Sequence, residues 1–321
     1  MQLRKKKSSN KEVTVMAEYE DFLDDISQDD ISHDDISPDA MSQEKTHDNM
    51  PQVKNPIVNT AMATHIGTRE YQQDAAYVCE PVYADSEDSE KKLAYGILCD
   101  GMGGTAEGER ASTETILQVA RKIASAKEED ETVLAGQHQN YFPAFLENCA
   151  YAANELILNQ NEELQQSSGT TLLTVILFDN NLYWLSVGDS RIYIIRGSEI
   201  VQTTKDHNYA LELQEKVDAG LLSQEEADND PKKEHLISYI GAPYLERIDV
   251  NRSPFQMQHG DIVLLCSDGL VKSLFDDEIL EIITRCGSNI FEAARLLPVE
   301  AFDRSPGALD NTTVVLMQYL G

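Results

Sequence analysis

The chain has 321 residues, 41% of them hydrophobic, which is enough for a sizeable core in one large domain or two small ones. Its 26 Lys and Arg stand against 56 Asp and Glu, a formal net charge of −30. That balance argues against a nucleic-acid backbone or an anionic membrane as the main partner, and no run is long and apolar enough to span a bilayer.

The N-terminus is basic (Arg4, Lys5, Lys6, Lys7), but no apolar stretch follows it, so it is not read as a secretory signal. Residues 1–57 set few apolar side chains among many charges and are expected to be a disordered acidic tail. Inside it lies an imperfect five-residue repeat, DDISQ, DDISH and DDISP, from Asp24 to Pro38. That period matches neither helix nor strand. The tail is read first as a solubilising segment. A sharper reading is regulatory: Ser27 and Ser32 each have an aspartate three residues on, a setting for an acidic-directed kinase, and the tail could compete for a cationic site.

Residues 58–321 have a globular composition. Arg69 and Asp74 precede a β-like run to Cys79, and Tyr83 to Lys92 is a polar, acidic hairpin-type loop. Leu93 to Cys99 is a buried strand that ends at Asp100, followed by the glycines Gly101, Gly103 and Gly104. Apolar residues at helical spacing predict helices over Glu107 to Ala126 and Tyr141 to Leu164. The pattern then turns to strands. A β-branched run after Ser167, an Asn180-Asn181 turn, and a second turn at Gly188-Asp189-Ser190 predict an antiparallel meander from Thr170 to Val201. Lys205 to Ser238 is polar and partly helical and reads as a lid over the sheet edge, with a plain surface insertion as the other reading. A strand over Ile262 to Cys266, helices from Asp276 to about Thr284 and from Ile290 to Leu297, and a last strand over Thr313 to Tyr319 complete the chain. Two helical blocks among antiparallel strands predict an α+β sandwich rather than a doubly wound sheet.

None of the five cysteines (Cys79, Cys99, Cys149, Cys266, Cys286) forms a CxxC pair. They imply a reducing compartment, with the cytoplasm as the default, and no disulfide framework.

Five aspartates flank strands: Asp74, Asp100, Asp189, Asp268 and Asp310. Carboxylates bunched at one end of a sheet repel each other unless cations sit among them. With no Cys/His cluster, these hard ligands suit Mg²⁺ or Mn²⁺ rather than zinc. Two such ions can turn a shared water into a nucleophile for phosphoester hydrolysis. Arg69 adds a forked donor for a phosphate dianion. Any single Asp-Gly is more simply a turn; the joint order carries the reading. A rival sits at Gly101 to Ala106, which fits the dinucleotide fingerprint G-x-G-x-x-A. Asp100 just before it would repel a pyrophosphate, and the next segment is helical, without the acidic residue a second strand should end on. Ser190 has no general-base signature nearby, so it is not read as a nucleophile. His65, His207, His235 and His259 lack ligand spacing and read as loop or buried structural histidines.

In this order the motifs resemble the PPM/PP2C family of metal-dependent Ser/Thr protein phosphatases in its compact bacterial form. They are GxRxxxQD at Gly67 to Asp74, DGMGG at Asp100 to Gly104, SGTT at Ser168 to Thr171, VGDSR at Val187 to Arg191, KDH at Lys205 to His207, SDG at Ser267 to Gly269, and DN at Asp310 and Asn311. The resemblance covers about Thr60 to Leu320. It implies a central β-sandwich of two antiparallel sheets flanked by helices, with metals in a cleft at one end. It implies that Asp100 bridges two core ions, the Gly101 carbonyl completes one shell, Asp268 ligates the pair, Asp310 ligates one member, and Asp74 acts through coordinated water. Asp189 matches a position that in many members helps hold a weaker third ion, and Arg69 would bind the substrate phosphate. Arg69, Asp100 and Asp268 are thus the catalytic candidates, and a metal-bridging hydroxide the implied nucleophile. The implied partners are phosphorylated proteins, with a Ser/Thr protein kinase as a candidate among them; the chain is read as a monomer. A catalytically silent pseudophosphatase that binds phosphoproteins or a kinase is the alternative from another class.

Two positions depart from the family pattern. Met102 stands where many eukaryotic members carry a histidine thought to protonate the leaving alkoxide, although bacterial-type members commonly have Met; a thioether donates no proton. Gln72 stands where Asn is usual, which puts a local hydrogen bond near Arg69 in question.

Overall fold

The strands that read as unbroken apolar runs are buried on both faces, and this sets the architecture. A computed structural model of the chain describes residues 14–15, 57–80, 93–104, 106–129, 141–307 and 309–321. Strand β4 (Leu93–Met102) turns Tyr95, Ile97 and Cys99 to one core and Ala94 and Leu98 to another. Strands β6 (Leu172–Phe178), β12 (Ile262–Cys266) and β13 (Thr312–Tyr319) split their residues the same way, as the two-residue period of a strand requires.

Two sheets result, every pairing antiparallel. One has the order β1 (Thr14–Val15), β2 (Val58–His65), β13, β12, β8 (Arg191–Arg196), β9 (Glu199–Gln202). The other has the order β10 (Asp249–Val250), β7 (Asn181–Val187), β6, β4, β3 (Asp74–Cys79), with β5 (Gly169–Thr170) on β4 and β11 (Phe255–Gln256) on β7. A core including Leu98, Val175, Leu265 and Val315 fills the space between them. Helices α1 (Glu107–Glu129) and α2 (Tyr141–Leu164) cover the outer face of the second sheet through Val119, Leu146 and Ile157. Helices α3 (Tyr209–Asp218) and α4 (Gln224–Asp228) lie in the Lys205 to Ser238 excursion and α5 (Asp268–Val271) follows β12, while α6 (Asp276–Cys286) and α7 (Ile290–Arg304) cover the first sheet through Ile279, Ile283 and Leu297. The expected α+β sandwich flanked by helices is therefore the fold, in four layers.

The meander is corrected. β6 to β7 is a hairpin, but β8 does not pair with β7; it lies in the other sheet, between β12 and β9. Gly188-Asp189-Ser190 is thus a crossover between sheets, and Gly188, at φ +110°, takes a backbone conformation that few side chains tolerate. The reason is burial on both faces: β8 packs Tyr193 and Ile195 into the core under α6 and α7 and Ile192 and Ile194 between the sheets, a place the second sheet's edge does not offer. The hairpin turn is Asp179-Asn180 rather than Asn180-Asn181, since Phe178 pairs with Asn181 and Asp179 carries the positive φ of 54°. Helix α7 also runs past Leu297 through Pro298 to Arg304.

Of the tail, only the two residues of β1 and Ile57 are described; its expected disorder, its repeat and Ser27 and Ser32 lie outside the described residues, as does the Tyr83 to Lys92 loop. No helix among the described residues is long and apolar enough to cross a membrane.

Candidate active site

Antiparallel pairing brings the ends of some strands beside the starts of others, and the aspartates sit at those ends. β4 carries Asp100 and Gly101 just before its end at Met102; β3 begins at Asp74, the Cα partner of Asp100 across the ladder. Both carboxylates lie on the face that carries Leu98 and Ala76, between the sheets. On the facing sheet, Asp268 follows β12, Asp189 precedes β8 and Asp310 precedes β13. A cleft of about 600 Å³ opens there, lined by Arg69, Asp100, Gly101, Asp189, Asp268 and Asp310. Asp74 lies behind Asp100, buried, and accepts a 2.7 Å hydrogen bond from Ser267 Oγ of the opposite sheet. All of the sequence-derived site residues are thus drawn to one end of the sandwich.

The electrostatics are those of like charges held in a dry place. Burial pushes the Asp74 carboxyl up to about 7, with Asp268 and Asp310 adding to it and hydrogen bonds from Ser267 and Thr313 opposing. Asp189 is pushed up to about 7 by burial and then Asp268, with Lys272 opposing. Asp100 is held well above the usual carboxylate range by burial and then by Asp74, Asp268, Asp189 and Asp310. Asp268 is also raised, by burial first, with Lys272 opposing. Two carboxylate oxygens, Asp74 Oδ1 and Asp268 Oδ1, are buried with no hydrogen-bond partner. An unpaired buried acceptor is costly, and a hard cation relieves both that cost and the mutual repulsion. The donor set therefore fits divalent metal. Among the described residues, no three His, Cys, Asp or Glu side chains close on one point; the carboxylates line the cleft, and two of them hold resident cations. Arg69 Nη2 lies 2.7 Å from Asp310 Oδ2, and Lys272 Nζ is paired with Asp268 Oδ2.

Several positioning residues were not among the sequence-derived candidates. Asn311, buried beside Asp310, donates to the carbonyls of Ile66 and Tyr71 at 3.0 Å and accepts from the Gln73 amide at 2.8 Å, so it fastens the loop that carries Arg69. Gly67, at φ +63°, lets that loop press on the Leu309 and Asp310 carbonyls, where a Cβ would collide. Thr171 Oγ1 accepts from the Asp100 amide at 2.9 Å and Thr170 Oγ1 donates to the Asp100 carbonyl at 2.9 Å, which gives the SGTT motif its place. Gln72 does find a local bond, donating to Thr64 Oγ1, while its own Oε1 is buried without a partner. Of the four histidines, His207 is structural as expected: Gly188 N–H donates to its Nδ1 at 3.2 Å, and burial lowers its pKa to about 4. His235 departs from the plain-loop reading, since with Glu234, Leu236 and Tyr239 it forms a wall of the cleft; the Lys205 to Ser238 excursion thus borders the site.

The family model described as Protein phosphatase 2C matches residues 62–216. The protein phosphatase PhpP of Streptococcus pneumoniae is 33% identical over 221 residues, which span 69% of this chain and 84% of PhpP. The chain belongs to the protein phosphatase 2C family. As a member it is a protein-serine/threonine phosphatase, a phosphomonoester hydrolase. Solved phosphatase 2C structures agree with the fold. The S. agalactiae serine/threonine phosphatase is 27% identical, with a TM-score of 0.66 over 82% of this chain and 100% of that one. The catalytic domain of the serine/threonine phosphatase PstP, solved in complex with two manganese ions, is 29% identical, with a TM-score of 0.60 over 82% of this chain and 99% of that one. The dinucleotide rival at Gly101 to Ala106 is set aside by the same findings.

Proposed function

We propose that residues 58–321 form a catalytic domain that hydrolyses phosphoserine and phosphothreonine on proteins with two Mn²⁺ or Mg²⁺ ions. The observation that carries this is the meeting of Asp100, Asp189, Asp268 and Asp310 with Arg69 in one cleft, with carboxylate oxygens left unpaired. Asp100, the Gly101 carbonyl, Asp268 and Asp310 would hold the ions, with Asp74 behind them and Asp189 at the margin. When bound, such ions lower the pKa of water to supply the nucleophile and offset charge on the phosphoryl oxygens.

The chain's own groups do the rest. Arg69 is more than half exposed and sits on a fastened loop, so its guanidinium can leave Asp310 and fork onto two phosphoryl oxygens. Ser267 holds one oxygen of Asp74 and leaves the other free to accept. Met102 gives no proton to the leaving alkoxide; water in the cleft is the donor in this reading. The partners are phosphoproteins, with a Ser/Thr protein kinase acting on the same substrates.

The test is release of phosphate from a phosphoserine or phosphothreonine protein by the full chain, with Mn²⁺ or Mg²⁺ and with chelator. Metal-dependent release that chelator abolishes is expected. Binding of the phosphoprotein without turnover would overturn the reading in favour of a silent binding module. Turnover of an aryl phosphate but not of alkyl phosphoserine would show that no proton donor serves the leaving group.

A further inference from the structure

Lys272 has no part in the reaction above and does not line the cleft, yet its ammonium is paired with Asp268, which does. It caps the short helix α5 (Asp268–Val271), donating its amide to the Asp268 carbonyl at 2.9 Å. One helical turn separates it from Asp268, so the two side chains share a face, and Nζ takes Asp268 Oδ2. The other oxygen, Oδ1, is buried and unpaired. Asp268 is therefore divided: one oxygen is held by an ammonium, and one is left for a metal.

The same ammonium acts on Asp189 and Asp310. Asp189 has no other cationic side chain among its main charged neighbours, which are Asp268, Lys272 and Asp206. Asp206 is itself occupied, bound by Arg191 through Nε at 3.0 Å and Nη2 at 2.7 Å. On the other side of the cleft, the charges that weigh most on Asp74 and Asp100, among the described residues, are those of other aspartates. Among the described residues, the cations paired with the cleft aspartates are Lys272 on Asp268 and Arg69 on Asp310.

We propose that Lys272 takes the place of a divalent ion between Asp189 and Asp268, so that this phosphatase holds two ions and excludes a third. A dication there would have to break the Lys272–Asp268 pair and then sit beside the displaced ammonium, which a stem rooted on α5 keeps within reach. The two core ions would reach Asp268 through its unpaired Oδ1, which leaves the Lys272 pair intact. The inference rests on the two-ion reading under Proposed function and names which carboxylates those ions can use.

The test counts Mn²⁺ bound by the full chain in equilibrium dialysis, read by elemental analysis, for the wild type, Lys272→Asp and Lys272→Met. The wild type should saturate at two ions per chain at millimolar Mn²⁺. Lys272→Asp should take a third, bound at least ~10-fold more tightly than any third ion in the wild type. Lys272→Met, which removes charge with little change in bulk, should fall between them, and it decides the matter by the same criterion if Lys272→Asp does not fold. Three ions on the wild type, or two on every folded variant, would overturn the proposal. No bound Mn²⁺ on the wild type would overturn the two-ion reading itself, a different and recognisable result.

Discussion

The two walls of the cleft handle the same problem in different ways. On the β3–β4 wall, Asp74 and Asp100 face each other across a ladder, both between the sheets, with a hydroxyl from Ser267 and, among the described residues, no cationic side chain paired to either. On the β12–β13 wall, Asp268 and Asp310 each carry a cation from their own neighbourhood, Lys272 and Arg69. Like charges opposite each other in a ladder destabilise it. In the proposed mechanism the first wall would draw its stability from bound metal, whereas the second is balanced by cations of the chain itself, one of which, Arg69, would turn to the substrate. The comparison teaches that the acidic set is not a uniform cage: its members differ in what each lacks.

Removing one carboxylate from each wall should separate the two most strongly. Asp100→Asn and Asp268→Asn should each lower phosphate release by at least ~10³-fold, since each costs several kcal/mol of transition-state stabilisation. Their stabilities in chelator should part. Asp100→Asn relieves repulsion and should raise Tm, while Asp268→Asn strands Lys272 and should leave Tm unchanged or lower it. Equal Tm changes by calorimetry would erase the distinction between the walls. Arg69→Ala should cost about 10²-fold in kcat/KM, the scale of one lost donor to a charged transition state, with little effect on Tm because the residue is exposed.

A smaller effect follows from the loop fastening. Asn311→Ala removes three hydrogen bonds from a buried residue and should destabilise the fold by about 2 kcal/mol. It should also weaken phosphate binding, visible as a rise in KM for a variant that still binds Mn²⁺. An unchanged KM would show that Arg69 does not depend on this fastening.

The smallest expected effect is on pH dependence. Asp74 in the fold titrates near 7, above its value of 3.8 in the unfolded chain. A carboxyl raised on folding binds its proton more tightly in the native state, so its contribution to stability is fully present below the unfolded value and is lost as pH rises toward 7. Metal-free protein should therefore lose Tm between about pH 4 and 7, and Asp74→Asn should flatten that slope. Mn²⁺, which favours the ionised form, should oppose it. A metal-free slope that is the same in wild type and Asp74→Asn would remove Asp74 from the account.

Local chemistry made much of this molecule legible in advance. Helix α2 and strand β12 run over the residues their patterns predict, and α1 starts where its pattern does. The five aspartates and Arg69 could be named because each follows or precedes an apolar run, and their order matched one family. What the sequence hid were choices between partners far apart in the chain. β7 and β8 each read as a strand, but which sheet each joins depends on which core it closes, and that choice turned an apparent hairpin at Gly188 into a crossover. Asp268 read as a ligand just past a strand; it also opens helix α5, and only the helix sets Lys272 one turn away on the same face. Asn311 stood in a motif but showed its purpose only when β13 brought it against the Arg69 loop. The sequence by itself thus determined which groups carry the chemistry, because residue type and local period are written in neighbours. The tertiary structure alone decided which charges meet and which are already answered, because that depends on strand pairing and burial across more than two hundred residues, as in the |i−j| of 241 between Arg69 and Asp310.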